Sequence, residues 1–118
     1  MQSALASVAP EQVKPRRPAE CPVETWLGFL GHRWNALVLW HLSAGALRFG
    51  ELSERLPGVT AKVLSERLGG LARRGLIARD EPAAFPRRVV YRLTEAGSGI
   101  VAILDQVELW SRAHGEAA

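Results

Sequence analysis

Among its 118 residues the chain has one cysteine and one tyrosine, and only two of its fifteen basic residues are lysine. A lone Cys21 excludes an intrachain disulfide framework, and His32, His41 and His114 are too scattered to join it in zinc spacing, so no metal is expected. The chain also lacks a nucleophile, base and orienting group at motif spacing and a phosphate loop; catalysis is not expected, and no cofactor is implied. Long apolar runs are missing too. The longest, Ala36 to Leu42, is interrupted by His41 and falls far short of the roughly 20 residues that span a bilayer, so no membrane partner is expected. The first residues show no basic segment leading into an apolar stretch, which argues against a secretory signal. Sparse cysteine usage fits a reducing, cytoplasmic setting.

What is present points to one domain. With 47% apolar and 23% charged residues, a chain of this length buries roughly two-thirds of its unfolded surface. The net charge of +3 is unevenly placed. Residues 1–59 hold six bases against five acids, residues 60–92 eight against three, and residues 93–118 one against four. A basic middle followed by an acidic end suggests one face built for a polyanion, the alternative being ordinary surface charge. Arginine supplies thirteen of the fifteen bases and presents a planar fork to phosphate or guanine.

Residues 1–18 mix Ala, Ser, Pro and Gln with Lys14, Arg16 and Arg17 and show no apolar periodicity, so they are expected to form a loose arm. That arm either solubilises the chain or reaches a DNA groove with Arg16 and Arg17. Order is expected from Cys21, with Pro22 in a first helical turn, Val23, Trp26, Leu27 and Leu30 at helical spacing, and Gly31 as the stop. Trp34 to Leu42 is apolar on nearly every side, which predicts a helix buried through the domain centre with Trp34 and Trp40 in the core and Gly45 beyond its end. An extended piece, Ala46 to Arg48, precedes a short amphipathic helix marked by Phe49, Leu52 and Leu56 and ended by Pro57-Gly58.

Thr60 is an N-cap candidate for the next helix, Ala61 to about Arg74, which carries Leu64, Leu68 and Leu71 on one stripe. Two helices joined by so tight a turn form a helix-turn-helix pattern. Leu76 to Glu81 reads as a strand, Pro82 to Pro86 as a turn, and Arg87 to Leu93 as the return strand, so a basic hairpin follows. Thr94 caps a last helix, Glu95 to about Ala113, whose Ile100, Ile103, Leu104, Val107 and Trp110 line one side, with Val101 and Leu109 widening it beyond what one small domain buries. The expected fold is mainly helical (α+β), a winged helix-turn-helix, with residues 1–18 as arm, 19–114 as domain and 115–118 as tail.

The runs CPVETWLGFLGHRWNALVLWHL, RFGELSERLPGVTAKVLSERLGGLARRGLI and PRRVVYRLTEAG, in order over about residues 21–113, closely resemble the HxlR-type winged helix-turn-helix transcription regulators of bacteria. The resemblance implies a homodimer that binds double-stranded DNA, with N- and C-terminal dimerisation helices. Trp26, Leu30, Ile100, Leu104, Val107 and Trp110 are then candidates to meet across the two-fold axis or to line a pocket there, the alternative being the protomer's own core. It also implies that some members sense oxidants or electrophiles through a cysteine at the position of Cys21. Three departures bear on base preference: Gly69-Gly70 in mid-helix, each costing roughly 1 kcal/mol against Ala, Glu66 where Gln is common, and Ala61 where a polar residue is common.

In a helix-turn-helix the start of the second helix enters the major groove, which makes Thr60, Lys62, Ser65, Glu66 and Arg67 candidate DNA readers. Arg67 suits a guanine and Glu66 a cytosine amino group, unless Glu66 pairs with Lys62. Arg87 and Arg88 are candidates to grip phosphates from the wing, the alternative being a solvated hairpin face; Arg92 is a candidate to pair with an acid inside the domain. A thiol at a helix N-terminus gains thiolate character, which makes Cys21 a candidate redox sensor, the alternative being a small buried hydrophobe.

The expected function is a homodimeric repressor that reads a palindromic operator by recognition helix 60–74 and wing 76–93 and responds through Cys21. The alternative keeps DNA binding and replaces the thiol switch by a small aromatic effector in a Trp-lined pocket at the dimer interface. RNA binding is disfavoured because the wing lacks an exposed aromatic platform.

Overall fold

The computed structural model describes residues 14–83 and 88–115. The expected loose arm therefore falls largely outside the described residues, as do residues 84–87 of the hairpin, Arg87 among them, and residues 116–118 of the tail. Lys14 to Arg17 are exposed and carry no regular structure, and a single 3-10 turn follows at Pro18–Glu20.

Proline at the first helical position has no N–H to leave unsatisfied, and helix α1 starts there, spanning Pro22–Leu30 and ending at Gly31. Helix α2 spans Asn35–Leu42. Its N-cap, Trp34, sits at φ 80°, the one positive φ outside glycine among the described residues. That conformation costs an L-residue roughly 1–2 kcal/mol. The indole offsets it by packing on the core and beside the turn that follows the third helix, where a Cβ on Gly58 would lie 3.9 Å from the ring. Asn35 is fully buried and its Nδ2 donates to the Phe29 carbonyl at 2.8 Å, which ties the end of α1 to the start of α2.

Helix α2 corrects the expectation of burial on every side. Val38, Leu39 and Leu42 are buried, but Leu37 and Trp40 point outward, Trp40 with 54% of its surface exposed. An eight-residue helix covered by neighbours on one side leaves the other face open, and an all-apolar run does not say which face that is.

Strand β1 (Leu47–Arg48), helix α3 (Phe49–Arg55), helix α4 (Ala61–Arg73), strands β2 (Ile77–Asp80) and β3 (Val90–Leu93) and helix α5 (Glu95–Ala113) follow. The strands form an antiparallel sheet in the order β1-β3-β2, with Leu47 opposite Tyr91 and Ile77 opposite Leu93. Leu39, Leu52, Leu56, Leu64 and Leu71 make the dry centre that joins α2, α3 and α4. The short strands close over one end of it with Leu47, Leu76 and Ile77.

Thr94 locks α5 to the sheet. Its N–H donates to the Leu76 carbonyl at 3.0 Å, its hydroxyl donates to the Gly75 carbonyl at 2.6 Å, and the same oxygen accepts from the Gly97 N–H at 3.1 Å. Gly97 is buried, and a Cβ there would fall inside contact distance of the Leu76 carbonyl, so this crossing of α5 over the α4–β2 junction requires glycine. Beyond Val101 the helix leaves the body of the protomer, and Ile103, Val107, Leu109 and Trp110 stand exposed.

Candidate nucleic-acid interface

The helix-turn-helix is built from α3 and α4. The Glu51 carboxylate accepts from the Arg48 backbone N–H at 2.8 Å and caps α3. That bond is the first cause holding the Glu51 carboxyl below the usual carboxylate range, with the Arg48 charge beside it adding to the effect. The turn runs through Pro57 and Gly58, where φ is 94°, a value that favours glycine. Thr60 then caps α4, its Oγ1 accepting from the Val63 N–H at 3.1 Å.

Leu64, Leu68 and Leu71 are buried, which turns the opposite face of α4 to solvent and exposes Lys62, Ser65 and Glu66 on its first two turns. Neither Lys62 nor Glu66 is in an ion pair among the described residues. Arg67 is placed differently. It is half-buried, with its Nε out of contact with solvent and without a hydrogen-bond partner, so the stem is packed against the protein and only the terminal nitrogens are free to reach a base. Helix α4 stays helical through Gly69 and Gly70. A Cβ on Gly70 would lie 3.7 Å from the Phe29 ring, an ordinary contact, and one on Gly69 3.2 Å from the movable end of the Arg73 side chain.

On the hairpin, Arg92 Nε donates to the Asp80 carboxylate at 2.7 Å, the internal pairing anticipated for it. Arg79 faces Glu81 at 3.7 Å. Arg88 is exposed at the near side of the tip and in no ion pair among the described residues. Among the described residues, Lys62 on α4 and Arg88 on the wing are thus unneutralised cations of the reading face, with the Arg67 tip between them in sequence.

Cys21 is the N-cap of α1 and is partly exposed. Arg16 Nη1 donates to its Sγ at 3.6 Å. The thiol is held below its ordinary pKa, first by the backbone N–H of Glu24 and then by Arg16, against a smaller opposing push from burial. Sequence reasoning placed Arg16 in a loose arm, solubilising or groove-reaching, and did not name it as the partner of the thiol, a contact whose only signal is a basic residue five positions before Cys21.

The six residues assigned to a dimer interface or pocket divide. Leu30 is buried at 8% exposure in the protomer's own core, because the turn after α1 folds α2 back over it, and it is removed from the interface set. Trp26 and Ile100 are half-buried and pack on the edge of that core, and Leu104 is half-buried too. Val107 and Trp110 are open, at 57% and 61%, as are Val23 and Leu27 on α1, so both terminal helices carry apolar side chains that the protomer does not cover. Arg74 is exposed and lies over Phe29 at 4.1 Å and Trp26 at 5.3 Å. Among the described residues no helix is long and apolar enough to cross a membrane, and no group of three metal-ligating side chains occurs.

A family model described as HxlR-like helix-turn-helix matches residues 29–118. Regulatory protein MalR of Fusobacterium mortiferum is 39% identical over 94 residues, 79% of this chain and 89% of that protein. The HTH-type transcriptional regulator YodB of Bacillus subtilis is 35% identical over 92 residues, 77% of this chain and 82% of its own. The reduced form of YodB superposes with a TM-score of 0.73 over 77% of this chain and 90% of that structure, and YodB has also been solved diamide-treated and quinone-bound. The redox regulator HypR in its reduced form superposes with a TM-score of 0.72 at 30% identity, over 79% of this chain and 92% of that one, and its oxidised form is known as well.

Proposed function

The chain belongs to the HxlR family of DNA-binding transcriptional regulators, which are not enzymes, and from that premise we propose that it works as a homodimeric repressor of a palindromic operator, tuned by oxidants or electrophiles at Cys21. The observation that carries the proposal is the pairing of a solvent-facing polar row on α4, Lys62, Ser65 and Glu66, with an apolar surface on α1 and α5 that the protomer leaves open. A single winged helix covers little DNA, whereas two joined through Val23, Leu27, Val107 and Trp110 read half-sites about one helical turn apart. Thr60 caps the reading helix, Arg67 offers its terminal nitrogens to a base, and Arg88, with Arg87 beside it in sequence, grips phosphates on the flank.

The thiol reading is supported by the lowered pKa at the N-cap of α1 and by the reduced, diamide-treated, quinone-bound and oxidised states of YodB and HypR. With one cysteine per chain, oxidation joins Cys21 to a partner chain or to a small thiol. Two thiols then give up two protons and two electrons to diamide, which becomes the hydrazine. A quinone instead adds the thiolate at a ring carbon.

Selection of bound duplexes from a random pool tests the reading. An inverted repeat with half-site centres about 10 base pairs apart is expected, with a dimer in sedimentation. Indifference to duplex DNA at low ionic strength, or a strictly monomeric protein, overturns it. Diamide or benzoquinone is expected to change operator affinity in the wild type and not in Cys21→Ser; an identical response of both removes the switch.

A further inference from the structure

Between α1 and α5, at the end of α4, lies a cavity of about 410 Å³ lined by Trp26, Arg74, Leu76, Gly99, Ile100 and Ile103. Its walls are apolar with one exception, the Arg74 guanidinium. The exposed Arg74 places its Cζ 4.1 Å from the Phe29 ring centroid and 5.3 Å from that of Trp26, and it has no carboxylate partner among the described residues. A cation–π contact uses none of the guanidinium N–H donors, and that fork of donors can take a carboxylate with two parallel hydrogen bonds.

The floor is formed in part by Gly99. It lies inside a helix, where glycine costs roughly 1 kcal/mol against alanine, and a Cβ there would meet nothing within 4 Å. Gly97, two residues earlier, is demanded by the Leu76 carbonyl; no neighbour in the protomer demands Gly99. Gly99 therefore lines the cavity without adding a side chain to it.

We propose that this cavity is a binding site for a planar aromatic carboxylate, with the ring between Trp26 and Gly99 and the carboxylate on Arg74. The volume lies within the ~300–1,000 Å³ of small-molecule sites and suits one or two fused rings. One cation in an apolar wall matches a monoanion and not a phosphate, which would bring a second charge without a counterion. A separate cavity on the other side of α5, about 350 Å³ beside Trp40, carries Asp105 and Glu108 and repels such a ligand. The ligand is held by the residue that caps the recognition helix, since Arg74 is the C-cap of α4.

Naphthalene-2-carboxylate titrated calorimetrically into the DNA-free wild-type protein tests the site, with 2-naphthylmethanol as the uncharged control. Saturable 1:1 binding per chain is expected, weakened at least tenfold for the alcohol and for Arg74→Met, and abolished in Gly99→Leu, which fills the cavity. Circular dichroism and sedimentation of both variants are expected to match the wild type. Three results overturn the proposal: no binding to the wild type, equal binding to Arg74→Met and Gly99→Leu, or loss of the dimer in Gly99→Leu, which would make a second copy of the chain the occupant. Because no DNA is present, failure here leaves the operator reading standing, and failure to bind operator leaves this result standing.

Discussion

Replacing Gly97 by alanine is expected to destabilise the protein by about 2–4 kcal/mol, although the same change in an ordinary helix interior stabilises. A new Cβ would overlap the Leu76 carbonyl oxygen and come within 3.0 Å of its carbon and 3.1 Å of Leu93 Cδ2. Backbone cannot rotate away as a side chain can, so the first turn of α5 has to shift. Overpacking of this kind costs about 1–3 kcal/mol. The shift also strains the Thr94 bonds to Leu76 and Gly75, each worth about 1 kcal/mol net. Against these stands the gain of about 1 kcal/mol in helix propensity. Gly99→Ala supplies the control, since it collects the propensity gain with no contact to lose and is expected to stabilise by up to about 1 kcal/mol. Urea unfolding followed by circular dichroism at equal protomer concentration measures both, and heating should lower the Gly97→Ala midpoint by roughly 8–16 °C. A Gly97→Ala protein as stable as the wild type, or two variants that move in the same direction, would refute the account of the α5 crossing.

Arg88→Ala should weaken binding to all duplexes alike and reduce the slope of log K against log salt by about 1, read by fluorescence anisotropy across a salt series; an unchanged slope removes the wing from the contact. The rate at which iodoacetamide alkylates Cys21 should follow thiolate formation with a midpoint below that of an unperturbed thiol. Arg16→Ala should move that midpoint upward without abolishing the shift, because the Glu24 N–H remains. Val107→Asp sets a carboxylate in the open apolar surface of α5 and should leave circular dichroism unchanged while shifting sedimentation toward monomer and costing operator affinity at least tenfold. A fully dimeric Val107→Asp protein would place the interface elsewhere.

The elements that sequence resolved are those bounded by local chemistry. Pro22, Gly58, Thr60 and Thr94 each mark an end by removing a donor, supplying a cap or allowing a backbone turn, and these act within a few residues whatever the rest of the chain does. The leucine stripe of α4 was equally legible, because polar residues on its other face made the period visible. Periodicity fails where every position is apolar. Nothing in WNALVLWHL says that Val38 and Leu39 turn inward while Leu37 and Trp40 turn out, and the left-handed backbone of Trp34 is unforeseeable for a bulky residue.

Side chains that act across tertiary contacts were the least legible. Leu30 and Val107 both continue apolar stripes on terminal helices, yet one is covered by its own protomer and the other is bare. What separates them is which helix faces the rest of the protomer covers, a quantity the stripe does not carry. Arg74 reads in sequence as one more base near a helix end, and only the meeting of α1 with α4 places two aromatic rings beneath it.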